Sequence, residues 1–181
     1  METEDTVDFV RIPKERIGIL IGKSGKSKAK IERYLKIRLE IDSATGEITI
    51  VVPPDPRDPL TVLKAKSIVK AIGRGFTLSD ALFLLEDNMM LEILDLSSAL
   101  SSEKAMHRQK SRLIGTEGRT KTFIEKQLGV RIAVYGKTVS IIGPPETIQL
   151  AMESVERILS GTPQSAVYHM IEKRTAQFGG F

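Results

Sequence analysis

The chain repeats itself. Sliding the 181-residue sequence along itself by 93 positions lays Ile21-Gly22-Lys23-Ser24-Gly25-Lys26 on Ile114-Gly115-Thr116-Glu117-Gly118-Arg119. In the same register Lys28 falls on Lys121, Ile31-Glu32 on Ile124-Glu125, Leu35 on Leu128, Ile37-Arg38 on Val130-Arg131 and Ile41 on Val134. After a turn two residues shorter in the second copy, Ile48-Thr49-Ile50-Val51 matches Val139-Ser140-Ile141-Ile142. A match this long, broken only at a turn, marks a duplicated domain. The chain is therefore expected to fold as two copies of a unit of about 80 to 90 residues.

Hydrophobic periodicity gives each copy the same element order. In the first, Val7 to Ile12 alternates as a strand, and Pro13 opens a helix running to about Ile21. After Gly22 to Gly25, the residues Ala29, Ile31 and Leu35 form the apolar stripe of a helix over 26–35. Ile37, Leu39 and Ile41 alternate with Arg38 and Glu40 as a half-buried strand, and Ser43 to Gly46 turns the chain into a strand over 47–52. A loop over 53–59, rich in Pro and Asp, precedes a helix from Leu60 to about Ile72. The second copy repeats this β-α-α-β-β-α order: a strand over 89–96, helices over 102–114 and 120–128, a hairpin of strands over 131–135 and 138–142, and a helix from Pro145 to Leu159. The expected fold class is α+β, two such domains at 1–75 and 89–161, joined by a bridging segment over 76–88 with a short helix. Residues 162–181 add an extra C-terminal helix and a Gly-Gly tail. The junction has no Ser/Gly-rich tract, so the domains are expected to pack on each other.

Charge follows the repeat. Residues 13–40 hold nine Lys or Arg against three Glu, and residues 104–131 hold eight against two, so each window carries +6 in a chain whose total is only +4. Two equal basic segments could be two solvated helix faces; at corresponding places of a repeat they point to two copies of a polyanion site. The absence of Cys excludes a disulfide framework, zinc-finger chemistry and thiol catalysis, and two His, His107 and His169, are too few for a His-based metal site. No cofactor and no metal are expected. The acidic N-terminus has no signal-peptide core and no apolar run reaches the ~20 residues of a membrane span, so a soluble cytoplasmic protein without membrane partners is expected. Charged residues at 28% and a single Asn lean toward a thermophile.

The chemistry sits in the two Gly-x-x-Gly loops. Glycine at both corners lets backbone approach a ligand closely, and the helix that follows starts with free N–H groups and a positive dipole end suited to a phosphate. Lys23, Lys26 and Arg119 add mobile charge beside Ser24 and Thr116, with Lys28, Lys110, Arg112 and Lys121 on the adjoining helices. Ile21, Ile31 and Leu39 are candidates for an apolar strip seating bases, though some of them must be core instead; Ile114 is a further candidate RNA contact, and Arg38 and Arg131 are candidates for contacts to a base edge or phosphate. Such a groove suits about four nucleotides of single strand. Glu117 would point negative charge toward the expected phosphate path: either it faces away and Arg119, Arg112 and Lys110 compensate, or the second copy binds weakly or differently, or is purely structural. Gly22→Asp or Gly115→Asp is expected to abolish binding at its own site while leaving the fold intact.

One Ile-Gly-x-x-Gly is more often a helix C-cap and turn. Set between two helices in this order, twice, it resembles the KH family of type I topology over essentially the whole chain. That resemblance implies single-stranded RNA, or less often DNA, held by its backbone on Gly22-Lys23-Ser24-Gly25 and Gly115-Thr116-Glu117-Gly118. Lys110 to Lys121, together with the paired spacing and the C-terminal extension, is similar to a narrower group: the archaeal relatives of the eukaryotic KH-domain factor in small-subunit ribosomal RNA maturation. By that resemblance the ligand is the 3′ region of small-subunit rRNA and the role non-catalytic. The partners it implies are ribosome-assembly proteins, such as the endonuclease cutting that 3′ end, and translation-initiation components. The first copy departs from the eukaryotic members, which tend to lack an intact Gly-Lys-Ser-Gly. The same fold also serves general RNA-binding or translation-control proteins and protein scaffolds.

Two rival chemistries have weaker support. Gly25-Lys26-Ser27 resembles the end of a nucleotide-binding P-loop, but that motif needs Gly at position 20, where Leu stands, and a strand directly before the loop. Asp55, Asp58, Asp80, Glu86 and Asp87 form no spaced catalytic pair and read as caps and turns, so no catalytic residue is assigned.

Overall fold

A computed structural model describes residues 4–54, 59–100 and 102–178. Asp55 and Asp58 in the Pro- and Asp-rich loop, and the Gly-Gly tail, lie outside the described residues. The chain divides into two compact units, Met1–Leu85 and Glu86–Phe181.

In the first unit β1 (Thr6–Arg11) leads to α1 (Lys14–Ile21), a single 3-10 turn over the glycine loop, and α2 (Lys26–Leu35). Then come β2 (Arg38–Asp42), β3 (Glu47–Val52) and α3 (Thr61–Gly73). The three strands form an antiparallel sheet in the order β1-β3-β2, with Phe9 opposite Thr49 and Leu39 opposite Ile50. The alternation expected of β2 is real: Leu39 is buried while Arg38 and Glu40 are exposed. Ile17, Leu20, Ile31, Ile48, Ile68 and Ile72 close the core between helices and sheet. The bridging segment does contain a short helix, α4 (Leu78–Ala81), followed by a 3-10 turn (Leu82–Leu85). Both pack against α3, with Phe76, Ala81 and Leu84 buried. This segment therefore belongs to the first unit's core.

The second unit repeats the plan with β4 (Met90–Asp95), α5 (Glu103–Ile114), a 3-10 turn, α6 (Arg119–Leu128), β5 (Arg131–Tyr135), β6 (Thr138–Gly143) and α7 (Pro145–Leu159). Its sheet has the order β4-β6-β5, the counterpart of the first. Ser102 caps α5, its hydroxyl accepting from the Ala105 N–H at 3.1 Å, and Pro144-Pro145 open α7. The extra helix α8 (Gln164–Phe178) is no loose appendage. Its Val167 and Ile171 are fully buried in the same core as Ile124, Ile141, Val155 and Ile158.

Each unit fastens the helix before its glycine loop to the end of the helix after its third strand by an arginine. In the first, Arg16 Nε donates to the Ile72 carbonyl and Nη2 to that of Phe76, both at 2.7 Å. In the second, Arg112 Nη1 donates to the Ile158 carbonyl at 2.9 Å and Nη2 to that of Thr162 at 2.8 Å. The planar guanidinium satisfies carbonyls that the helix end leaves without intrahelical partners. The two arginines do not correspond in the repeat, so the duplication preserved the fastening but not its position.

Candidate nucleic-acid interface

The two glycine loops have one backbone conformation. Gly22 and Gly115 have φ/ψ of 71°/175° and 76°/172°. The third loop residues, Ser24 and Glu117, sit at 53°/33° and 53°/28°, and Gly25 and Gly118 at 74°/10° and 74°/13°. Hydrogen bonds within each loop hold this shape. The Gly22 N–H donates to the Gly18 carbonyl at 2.8 Å and the Gly25 N–H to that of Gly22 at 3.2 Å. The Gly115 and Gly118 N–H groups repeat this onto Ser111 and Gly115, at 2.9 and 3.1 Å. The clamp is thus formed before any ligand arrives.

The glycines serve different ends. A Cβ on Gly22 would lie 2.1 Å from Ser27 Oγ and 2.8 Å from the Ser27 backbone nitrogen. On Gly115 it would lie 2.4 Å from Thr120 Oγ1 and 2.8 Å from its nitrogen. The start of the second helix occupies the space a side chain needs. Gly25 and Gly118 have no atom within 4 Å of a Cβ, so they are needed only for their positive φ and leave an open approach. Just beyond them α2 and α6 begin, and no side chain caps either N-terminus. The Lys26 and Arg119 N–H groups turn back onto the Lys23 and Thr116 carbonyls, so what these uncapped ends offer an anion is chiefly the positive end of the helix dipole. Ser24 and Glu117 hold left-handed backbone without being glycine, at a cost of about 1 kcal/mol each, and strain of this kind clusters at functional positions.

The charged side chains fall into two groups. Lys23, Ser24 and Lys26 are exposed on the first loop, as are Thr116 and Arg119 on the second, with Ile21 half-buried and Ile114 exposed at the preceding helix ends. Arg38 and Arg131 are exposed at the starts of β2 and β5, Arg38 lying 3.4 Å from Glu40 in a solvent-screened pair. Lys28 and Lys121 are more constrained. Each ammonium lies 3.1 Å from the carboxylate one turn on, Glu32 or Glu125. That carboxylate in turn accepts the Leu39 or Ile132 N–H at 2.8 Å. This lysine–glutamate–strand link is preserved in both copies and fixes each Gly-x-x-Gly helix to the neighbouring strand. Glu32 and Glu125 are thus positioning residues that the sequence reading passed over, although their exact correspondence in the repeat was a visible signal.

Several expectations change. Ile31 and Leu39 are 0% and 1% exposed, so they are core and cannot seat bases. Both terminal nitrogens of Arg112 are committed to carbonyls, which makes it a structural fastener rather than a phosphate contact. Lys110 spends one donor on the Gly136 carbonyl, 2.8 Å away in the hairpin turn. Glu117 is paired with Arg119, whose Nη2 lies 3.2 Å from Glu117 Oε2 with both side chains about three-quarters exposed. The P-loop alternative fails on geometry, because a helix leads into the first loop. The expectation that Gly22→Asp or Gly115→Asp spares the fold is also corrected, since any Cβ there collides with backbone.

Among the described residues no cluster of three or more His, Asp or Glu side chains is placed to hold a metal ion, and no helix is long and apolar enough to cross a membrane.

Two helix-flanked glycine loops, each opening onto an uncapped helix end in a β-α-α-β-β-α unit, define a class. The chain belongs to the KH-domain family of RNA-binding proteins and carries two type I KH domains in tandem, in a PNO1-like arrangement. Residues 11–87 match the Krr1 KH1 domain and residues 90–176 the eukaryotic type KH-domain, type I. A KH domain-containing protein of Methanocaldococcus jannaschii is 42% identical over 170 residues, which cover 94% of this chain and 74% of that protein. RNA-binding protein pno-1 of Caenorhabditis elegans is 29% identical over 162 residues, and this chain spans only 58% of its length. Among solved structures, the a/eIF2alpha–aDim2p–rRNA complex from Pyrococcus horikoshii contains a chain with a TM-score of 0.91 and 42% identity, with 97% of both chains covered.

Two outcomes test the site. Gly22→Ala should destabilise the first unit by about 3 kcal/mol, because its Cβ meets backbone, whereas Gly25→Ala should cost about 1 kcal/mol from φ alone; urea denaturation of both variants measures the gap. Glu117→Lys should tighten single-stranded RNA binding several-fold at low salt and steepen the salt dependence by about 0.7 in log–log slope, one added phosphate contact. Fluorescence anisotropy over a salt series reads both, and an unchanged slope would place Glu117 off the phosphate path.

Proposed function

We propose that this protein is a non-catalytic factor that binds the single-stranded 3′ region of small-subunit ribosomal RNA during subunit assembly and 3′-end maturation. The observation that carries the reading is the pair of pre-formed Gly-x-x-Gly loops, matched to within a few degrees and each opening onto an uncapped helix N-terminus. Support for the choice of RNA comes from the relatives. One similar structure was solved with a/eIF2alpha and rRNA, and another relative is a pre-rRNA-processing protein, pno1 of Emericella nidulans.

In this reading Gly22 to Lys26 and Gly115 to Arg119 track the backbone of the strand, with Ile21 and Ile114 beside the bases and Arg38 and Arg131 at the far rim. The first loop is the stronger clamp because Lys23 and Lys26 stand unopposed by an acid on the loop, whereas Arg119 is shared with Glu117. A translation-initiation component and the rRNA 3′-end endonuclease are the protein partners this role implies, and its place of action is the cytoplasm.

The test pairs cells with solution. Lys23→Asp with Ser24→Asp keeps both glycines and reverses the loop's charge, and Asp tolerates the left-handed backbone at position 24. This variant should lose at least tenfold in affinity for single-stranded RNA. Crosslinking in cells followed by mapping should enrich the 3′ end of small-subunit rRNA; reads scattered over messenger RNA would replace this reading with general RNA binding.

A further inference from the structure

α8 lies outside the repeat, yet it reaches the second loop. Gln164, in its first turn, uses one side-chain amide nitrogen twice: Nε2 donates to the Arg112 carbonyl at 2.7 Å and to Thr120 Oγ1 at 3.0 Å. Arg112 is in the last turn of α5 and Thr120 in the first turn of α6, so this amide staples together the two helices that flank Gly115 to Gly118. One turn along α8, the Tyr168 hydroxyl donates to the same Thr120 Oγ1 at 2.9 Å. The Tyr168 ring packs on Phe123, with centroids 4.2 Å apart.

Thr120 is the residue against which Gly115 is seated: it is 2% exposed, and its Oγ1 and nitrogen occupy the space of a Cβ on that glycine. Locking Thr120 therefore locks the corner of the clamp. The first unit has Ser27 at the corresponding place and no counterpart of α8 among the described residues; the helix after α3 packs on α3 instead.

We propose that Gln164 and Tyr168 are positioning residues for RNA at the second loop, so that the affinity of this site, and not of the first, depends on the seating of α8. The proposal rests on the RNA-binding reading of that loop. Its physical content is pre-organisation. A loop already held in its binding geometry gives up less conformational freedom when the phosphates arrive. The second loop, burdened by Glu117, has the greater need of that advantage. It also makes α8 a handle: whatever displaces α8 weakens the second grip while leaving the first intact.

The experiment uses the full chain with Lys23→Asp and Ser24→Asp, so that only the second loop binds. Into this parent are placed Tyr168→Phe, which keeps the ring on Phe123, and Gln164→Leu, singly and together. Affinity for a short single-stranded oligoribonucleotide and amide hydrogen exchange are both measured. In the double variant, loss of three hydrogen bonds should lower affinity about tenfold. Exchange at residues 116–120 should accelerate, while β6 and residues 23–27 are unaffected. Tyr168→Phe alone should give a smaller change of the same kind.

Unchanged affinity and unchanged loop exchange in the folded double variant would overturn the proposal. So would equal acceleration in β6, which would mean general loosening of the unit. Failure of the parent itself to bind RNA would instead sink the RNA reading of the second loop, and the role assigned to α8 with it. The exchange data would still report whether α8 holds the loop.

Discussion

Everything at the two sites depends on a close approach: the backbone nitrogen of the following helix's second residue sits where a side chain on the loop's first glycine would be. With Ser27 and Thr120 pressed against Gly22 and Gly115, one helix can end and the next begin within four residues. The result is a helix N-terminus exposed beside a stretch of backbone with no side chains in the way. A β-carbon at either place would push the helices apart and blunt the helix end suited to a phosphate chain. The lysine–glutamate–strand links, Lys28–Glu32–Leu39 and Lys121–Glu125–Ile132, then tie that helix to its strand.

The duplication preserved these constraints while relaxing others. Loop dihedrals agree within 5° between copies although two of the six aligned residues change charge type, Ser24 to Glu117 and Lys23 to Thr116. The arginine joining the helix before the loop to the helix after the third strand is Arg16 in one copy and Arg112, at a different helical position, in the other, because carbonyls at a helix end can be reached from more than one turn. Backbone geometry was held more tightly than side-chain chemistry. That is what selection on a backbone-binding loop would produce, since phosphates are recognised by N–H groups and field rather than by one particular side chain.

Much of this was legible in the residues. The stripe of Ile31 and Leu35 beside Gly25 defines α2, the alternation of Arg38 and Glu40 defines β2, and the Pro145 to Leu159 helix begins and ends where Pro and apolar spacing put it. Local patterns set local structure, and the repeat allowed each copy to check the other. What escaped was long-range. Arg112 looks like one more cation in a basic window, and only the fold brings it to carbonyls 46 and 50 residues away. Ile31 and Leu39 fit a groove wall or a core equally well until packing assigns them inside. Gln164 and Tyr168 escaped because α8 has no partner in the repeat, though their one-turn spacing gave a faint hint that both face the same way.

The central claim is that single-stranded RNA is held by the backbone of the two loops. Titrating the isotope-labelled protein with a short single-stranded oligoribonucleotide and following backbone amide resonances tests it most directly. The largest perturbations should fall on residues 23–26 and 116–119, the first set saturating at lower RNA concentration. Perturbations that leave both loops unmoved and gather elsewhere would contradict the account.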